Sequence, residues 1–382
     1  MTMEKIIVGM SGGVDSSVAA YLLKKRGYQV EGLSFILYEA RSRKTFAKAP
    51  CCSLASVNDA SKTAEIIGIS HTTVDLRDEF MEKVIEPFID AYAMGITPNP
   101  CILCNRYIKF PYLLRNADER NADFIATGHY ATIERSRESE SIEPILKKGK
   151  DARKDQSYVL YALSPREMKR LVLPLGDWEK GDVRKLAIQL NMLASKRPES
   201  QEICFIEEKN YSNFIENATG EKEGPIIDAE TNKVIGNHRG IHLYTIGQRK
   251  RLIAIGRPLY VIKIDARENA VYVGSREKAM IRQFQVVDVV WHQNAQVVGL
   301  YQKDVNLGLK SFDTSVKVRS TMKDEPARIT VENQGDREKI WVTYDEPQWA
   351  PAPGQSAVFY KGEIVIGGGV IKGGACDAIL SK

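Results

Sequence analysis

Long apolar runs are missing from this chain of 382 residues. Stretches such as Leu33-Ser-Phe-Ile-Leu-Tyr38 fall far short of the roughly 18 residues that a membrane-spanning helix needs. No charged, then apolar, then small-residue leader precedes Ile6. A cytoplasmic protein that does not engage a membrane is therefore expected. Cysteine is scarce too: six residues, at positions 51, 52, 101, 104, 204 and 376, are too few and too uneven for the disulfide framework of a secreted domain. Thiols so placed point to chemistry or metal. Internal repeats and low-complexity tracts are absent. Neither sign of charge dominates, because 54 Lys and Arg against 49 Asp and Glu leave +5, compatible with an acidic partner such as RNA but too little to require one. Apolar side chains, by contrast, make up 43% of the chain, and at about 150 residues per domain its length suggests two or three ordered domains.

The first 130 residues alternate two periods. Ile6–Gly9 reads as a buried strand, and Val18, Ala19, Leu22 and Leu23 recur at helical spacing until Gly27. Val30–Tyr38 and His71–Asp75 read as strands around a helix carrying Val57, Ala60, Ala64 and Ile67. Phe80, Val84, Phe88, Ala91 and Tyr92 predict one helix between Asp78 and Gly95, kinked at Pro87. Phe124–Thr127 returns to strand. This alternation predicts an α/β fold, a doubly wound parallel sheet with ligands at the carboxyl ends of its strands. From about residue 236 the helical period gives way to hairpins, with Leu259–Asp265 facing Ala270–Gly274, Ala327–Glu332 facing Lys339–Tyr344, and Ser356–Tyr360 facing Ile364–Gly367. The expected organisation is a catalytic domain over 1–208, a small central domain over 209–277 and an antiparallel β-barrel over 278–382.

Between the first strand and first helix lies Gly9-Met-Ser-Gly-Gly-Val-Asp-Ser-Ser17. Gly12 and Gly13 permit close backbone approach, and the helix that follows aims unpaired N–H groups at whatever fills the turn, which makes an anion site. Ser11, Ser16 and Ser17 add hydroxyls, while Asp15 suits Mg²⁺ or a helix cap. The segment has neither GxxxxGK[ST] nor GxGxxG, so it is neither the usual P-loop nor a dinucleotide site. The loop resembles that of the PP-loop ATP pyrophosphatases, which cleave ATP between the α and β phosphates and adenylate a carbonyl oxygen; amide-forming synthetases share it, so the acceptor stays open at this point.

Asn99-Pro-Cys-Ile-Leu-Cys-Asn105 places Cys101 and Cys104 at CxxC spacing in an expected loop, and Cys204 follows in Ser200-Gln-Glu-Ile-Cys-Phe205. Arg106 and Lys109 flank the pair, and a nearby cation makes a thiolate easier to form. With these segments, Thr127-Gly-His-Tyr130, Lys154-Asp-Gln-Ser157, Tyr244-Thr-Ile-Gly-Gln-Arg249 and Pro353-Gly-Gln-Ser-Ala-Val-Phe359, the whole chain resembles the tRNA-specific 2-thiouridylases. That resemblance implies ATP-dependent 2-thiolation of the wobble uridine, position 34, in the anticodon stem-loop of tRNA, with a persulfide sulfur donor protein and no DNA. It implies a persulfide on Cys204 and a resolving thiol at Cys104. It implies an ATP site of Gly9, Met10, Ser11, Gly12, Gly13, Val14, Asp15, Ser16, Phe35 and Gly128, with Mg²⁺. It implies contacts to tRNA from Asn99, Pro100, Cys101, His129, Lys154, Asp155, Gln156, Arg319, Ser320 and Gln355. Cys101 stands where many relatives have Asp, so the alternative is a [4Fe-4S] cluster on Cys101, Cys104 and Cys204.

Other candidates read more plainly. Cys51-Cys52 is expected to be an incidental pair in a basic loop, Cys376 structural, and His238 with His242 a pair without a third zinc ligand. Lys147, Lys148, Lys150, Arg153 and Lys154 form a basic group suited to phosphates. Filter binding of tRNA should accordingly weaken steeply as salt is raised; affinity independent of salt would contradict an RNA-facing basic surface.

Overall fold

The computed structural model describes residues 3–38, 54–135, 144–196, 203–206, 211–252, 256–292, 302–304, 309–334 and 337–372. Cys51, Cys52 and Cys376 lie outside them. The chain divides into two compact units, one of Met1–Ile85, Pro100–Asn210 and Glu363–Val365, the other of Glu86–Asn99, Tyr211–Gly362 and Ile366–Lys382.

The first unit is built on a parallel sheet. Its strands are β1 (Lys5–Gly9), β2 (Gln29–Ile36), β3 (Ser70–Asp75), β4 (Phe124–Ala126) and, after a hairpin of β5 (Ala131–Glu134) and β6 (Ile145–Lys148), β7 (Leu171–Val172). They run in the order β3-β2-β1-β4-β7, every neighbouring pair parallel. Ile6, Ile7 and Val8 of the central β1 are fully buried, which is why that strand reads as an unbroken apolar run rather than an alternation. Helix α1 (Val14–Lys25) lays Val18, Ala19, Leu22 and Leu23 into the same core. It stops where Gly27 takes φ +92° and the N–H groups of Gly27 and Tyr28 return to the carbonyls of Lys24 and Leu23, closing the last turn. The doubly wound α/β expectation holds.

One local expectation is refined and another changes. Where one helix is predicted between Asp78 and Gly95, helical residues follow one another without a gap as an α turn at Arg77–Phe80, a π turn at Met81–Ile85 and an α-helix over Glu86–Ala93, the irregularity falling just before Pro87. Pro87 has no N–H for the carbonyl of Lys83 and its ring crowds that oxygen, so the turn before it widens. The CxxC segment, expected as a loop, is helical: Pro100–Cys104 forms an α turn and Asn105–Lys109 a π turn, followed by a helix over Phe110–Glu119. Pro100 favours this by presetting φ in the first turn, where its missing N–H costs nothing.

The second unit is rich in strand. Strands β8 (Gly224–Asp228), β9 (Lys233–His238), β10 (Tyr260–Asp265) and β11 (Ala270–Gly274) form one sheet in the order β10-β11-β8-β9 around Ile226, Val261, Val271 and Val273. After them come β12 (Met280–Trp291), β13 (Gln302–Asp304), β14 (Leu309–Lys317), β15 (Glu325–Gln334), β16 (Arg337–Trp349), β17 (Ser356–Lys361) and β18 (Ile364–Ile371). Six of these run β12-β16-β15-β14-β17-β18, and β12 pairs back onto β18 at Val286–Ile371 and Val287–Val370. The expected antiparallel barrel is thus closed by the β12–β18 pairing. The three predicted hairpins appear as β10–β11, β15–β16 and β17–β18.

Because Ile6 is 0% exposed in the middle of the parallel sheet, Ile6→Ala should destabilise the first unit by about 3 kcal/mol. Hydrogen exchange at the β1 amides should quicken roughly a hundredfold; unchanged protection there would contradict its central place.

Candidate active site

The carboxyl end of β1 opens into the glycine loop, whose shape depends on missing side chains. Gly12 has φ +73°, and a Cβ there would stand 2.3 Å from the Ser56 carbonyl oxygen. Gly128, just past β4, fits against the first turn of α1, where a Cβ would meet the Asp15 carbonyl carbon at 2.6 Å and the Ser16 nitrogen at 2.7 Å. Gly32 leaves room for the sulfur of Met10, so that buried side chain turns into the core and Met10 faces the loop by its backbone. Ser16 Oγ accepts from the Ser11 N–H at 3.2 Å, and Ser17 Oγ donates to the Gly13 carbonyl at 2.9 Å. Ser34 Oγ donates to the Met10 carbonyl at 2.6 Å and lies 2.8 Å from His71 Nε2, tying β2 and β3 to the same turn. Gly13 is the N-cap of α1 and makes no side-chain cap bond. The result is a braced turn with the helix's N–H groups directed into it, a site for a phosphate.

Asp15 is engaged by Lys180, which sequence reasoning did not single out, and by Tyr130, which it placed in a motif but gave no role. Lys180 Nζ lies 2.7 Å from each carboxylate oxygen, and Tyr130 Oη donates to Oδ1 at 2.7 Å. Only distance in sequence hid their pairing with Asp15. Phe35, half-buried, lies on β2 in register with Val74 of β3.

Cys101, Cys104 and Cys204 are thiols not joined by a disulfide. Cys104 is buried, and burial pushes its thiol up to about 12, opposed by the Lys109 ammonium and reinforced by the thiols of Cys204 and Cys101. Cys101 has an exposed face, yet the dense protein around it pushes its thiol up to about 11, with Cys204 adding to the shift and Lys109 opposing it. The three sulfurs therefore lie within electrostatic range of one another, and Cys101 and Cys104 within that of Lys109. The π turn also lets the Lys109 backbone N–H donate to the Cys104 sulfur. His129 follows Gly128, with Nδ1 2.8 Å from Thr127 Oγ1 and its ring near Phe110; burial and Lys109 hold its pKa well below the usual value, so it is neutral.

Family models match three consecutive segments: a tRNA methyl transferase HUP domain over residues 4–208, a tRNA methyl transferase PRC-barrel domain over 212–275 and an aminomethyltransferase beta-barrel domain over 281–371. The tRNA-specific 2-thiouridylase MnmA 2 of Caldanaerobacter subterraneus subsp. tengcongensis is 43% identical over 373 residues, 97% of this chain and 98% of that protein. The tRNA-specific 2-thiouridylase MnmA of Halothermothrix orenii is 40% identical over 97% of this chain and 99% of that protein. That of Acetivibrio thermocellus is 39% identical over 97% of this chain and 100% of that protein. The chain belongs to the tRNA-specific 2-thiouridylase family.

Several positions that the 2-thiouridylase pattern assigns to tRNA have side chains bonded within the protein. Asp155 accepts from the N–H groups of Gly149 and Ser157, and Gln156 Oε1 accepts from the Tyr130 N–H at 3.0 Å. In the second unit, Arg319 donates to the carbonyls of Ile246 and Ala350, and Gln355 donates to the Thr97 carbonyl at 2.9 Å, while Ser320 is exposed. Asn99 and Lys154 are half-buried and Pro100 is buried. Among the described residues no group of three His, Cys, Asp or Glu side chains is arranged to hold a metal ion, so the three cysteines do not form a ready ligand set for a cluster.

With the buried Cys104 thiol held protonated, alkylation of Cys104 by iodoacetamide should be slow at pH 7.5 and climb about tenfold per pH unit towards pH 11. Lys109→Met, which removes the opposing charge, should slow alkylation further at every pH below that. Rapid labelling at neutral pH would contradict the burial described.

Proposed function

We propose that this chain thiolates the C2 position of the wobble uridine, position 34, of tRNA at the expense of ATP, releasing AMP and pyrophosphate. The observation that carries the reading is convergence. Cys104 and Cys204, one hundred residues apart in sequence, act on each other electrostatically in the same unit whose central strand ends in the phosphate loop. The methyl transfer named in the family models' descriptions leaves a phosphate loop and two converging thiols without a task, whereas sulfur transfer uses both.

In this reading the N–H groups of the Gly12–Ser16 turn hold pyrophosphate, Phe35 offers an apolar face to adenine, and Gly128 lets the backbone approach the nucleotide. Magnesium would arrive with ATP and supply charge neutralisation on the phosphates. The uridine O2 attacks the α-phosphorus of ATP, pyrophosphate leaves, and C2 becomes attackable because AMP is a good leaving group. A persulfide on Cys204, loaded by a sulfur donor protein, attacks C2 through its outer sulfur. Cys104 then attacks the inner sulfur, a Cys104–Cys204 disulfide forms, AMP departs, and an external thiol restores the pair. Lys109 offsets the cost of the Cys104 thiolate in its buried setting, and neutral His129 borders the base without adding charge. Dry surroundings protect the activated base from hydrolysis. Residues 1–208 carry the chemistry, 209–277 form a central domain, and 278–382 hold the anticodon stem-loop, with Asn99 to Cys101 at the base, the chain working in the cytoplasm.

Cys104→Ser and Cys204→Ser should each abolish thiolation while leaving ATP binding intact. A wild-type protein that releases AMP and pyrophosphate without thiolating tRNA, and whose activity survives both changes, would overturn the reading in favour of an amide-forming synthetase. Anaerobically purified enzyme that is iron-free and active would support the persulfide route, and activity that requires iron would transfer Cys101, Cys104 and Cys204 to a cluster.

A further inference from the structure

Asp15 raises an electrostatic problem that the phosphate loop does not solve by itself. It occupies the second position of α1, in the first turn, where helix N–H groups gather for an anion, and its carboxylate repels the phosphates that the same turn must hold. The loop contains no Lys or Arg to offset that charge. The offset comes from elsewhere. Lys180, at the start of the helix over Lys180–Gln189, places its ammonium 2.7 Å from both carboxylate oxygens, and Tyr130 adds a hydroxyl donor to Oδ1 at 2.7 Å.

Both partners are themselves held in place. The Lys180 backbone N–H donates to Asp151 Oδ2 at 3.1 Å, and its side chain is only 13% exposed against 33% for Asp15. Lys180 Nζ also lies 5.6 Å from the centre of the Tyr130 ring. Tyr130 is 2% exposed and pairs through its backbone with Gln156, its N–H donating to Gln156 Oε1 at 3.0 Å and its carbonyl accepting from the Gln156 N–H at 2.8 Å. Asp151 and Gln156 belong to one turn, braced by Asp155 on the N–H groups of Gly149 and Ser157. An exposed surface ion pair would be screened and worth little; this one is half-buried, charge-assisted on both oxygens and backed by fixed donors.

We infer that Tyr130 and Lys180 are positioning residues of the ATP site that act through Asp15, cancelling its charge and fixing its orientation so that the head of α1 accepts pyrophosphate. This rests on the proposed ATP-dependent function. A purely structural strut between α1 and the later helix would stabilise the fold without changing nucleotide affinity. The clamp instead makes nucleotide affinity depend on the Asp15 charge.

The test is binding of Mg-ATP to the full-length protein by calorimetry, with melting curves recorded alongside. Tyr130→Phe keeps the buried ring and removes one charge-assisted hydrogen bond, so affinity should fall roughly tenfold with an unchanged melting curve. Lys180→Met leaves the carboxylate uncompensated and should weaken binding more than Tyr130→Phe does. The decisive variant is Lys180→Met combined with Asp15→Asn: removing the stranded charge should restore most of the affinity lost in Lys180→Met. Losses that simply multiply in the double variant, or a Tyr130→Phe protein that binds Mg-ATP as tightly as wild type, would overturn the clamp while leaving the thiolation reading standing. A wild-type protein that binds no Mg-ATP would overturn both.

Discussion

The absence of a Cβ at three glycines is the constraint on which the nucleotide end of this protein depends. Gly12 passes within reach of the Ser56 carbonyl, Gly128 meets the first turn of α1, and Gly32 admits the Met10 sulfur. Each brings backbone closer to backbone or side chain than any other residue allows, and together they hold a turn whose N–H groups face one small volume. The parallel sheet makes this possible. Burying β1 on both faces puts the loop at the carboxyl edge, where neighbouring strands deliver β4 and its Thr127–Tyr130 extension alongside.

A second constraint concerns charge in a crowded interior. The Cys104 thiol is held neutral by burial, and Lys109 is the cation that opposes this on both members of the CxxC pair. The same lysine, with burial, keeps His129 neutral. Asp15 is treated in the opposite way, its carboxylate matched by Lys180. The site thus keeps the Cys104 sulfur uncharged and its one loop carboxylate compensated, which suits a reaction that brings several phosphate charges and must exclude water.

On the RNA side, motif position and side-chain direction part company. Asp155, Gln156, Arg319 and Gln355 fall where a 2-thiouridylase pattern expects tRNA contacts, yet each side chain bonds to its own protein. Their contribution is to shape backbone: Gln355 holds the Thr97 carbonyl two residues before Asn99, and Asp155 rounds the basic turn that carries Lys150, Arg153 and Lys154. A residue can mark a contact segment without being the atom that touches.

The alternating strand and helix of the first 130 residues, the glycine loop, the three hairpins and the CxxC spacing were all legible in sequence, because each depends on groups within one turn or one strand of each other. The helical state of Cys101 and Cys104 was not, since two nearby prolines read equally well as a stiff loop or as a helix start. Nor was the π turn before Pro87, which a simple kink describes from sequence alone. Lys180 lies 165 residues from Asp15, and no period or motif connects them. Their pairing, like the approach of Cys204 to Cys104, was decided only when the sheet order and the later helices folded those segments onto the carboxyl edge. Local sterics determine the element; which distant charges and sulfurs meet is determined by the shape that all the elements fill together.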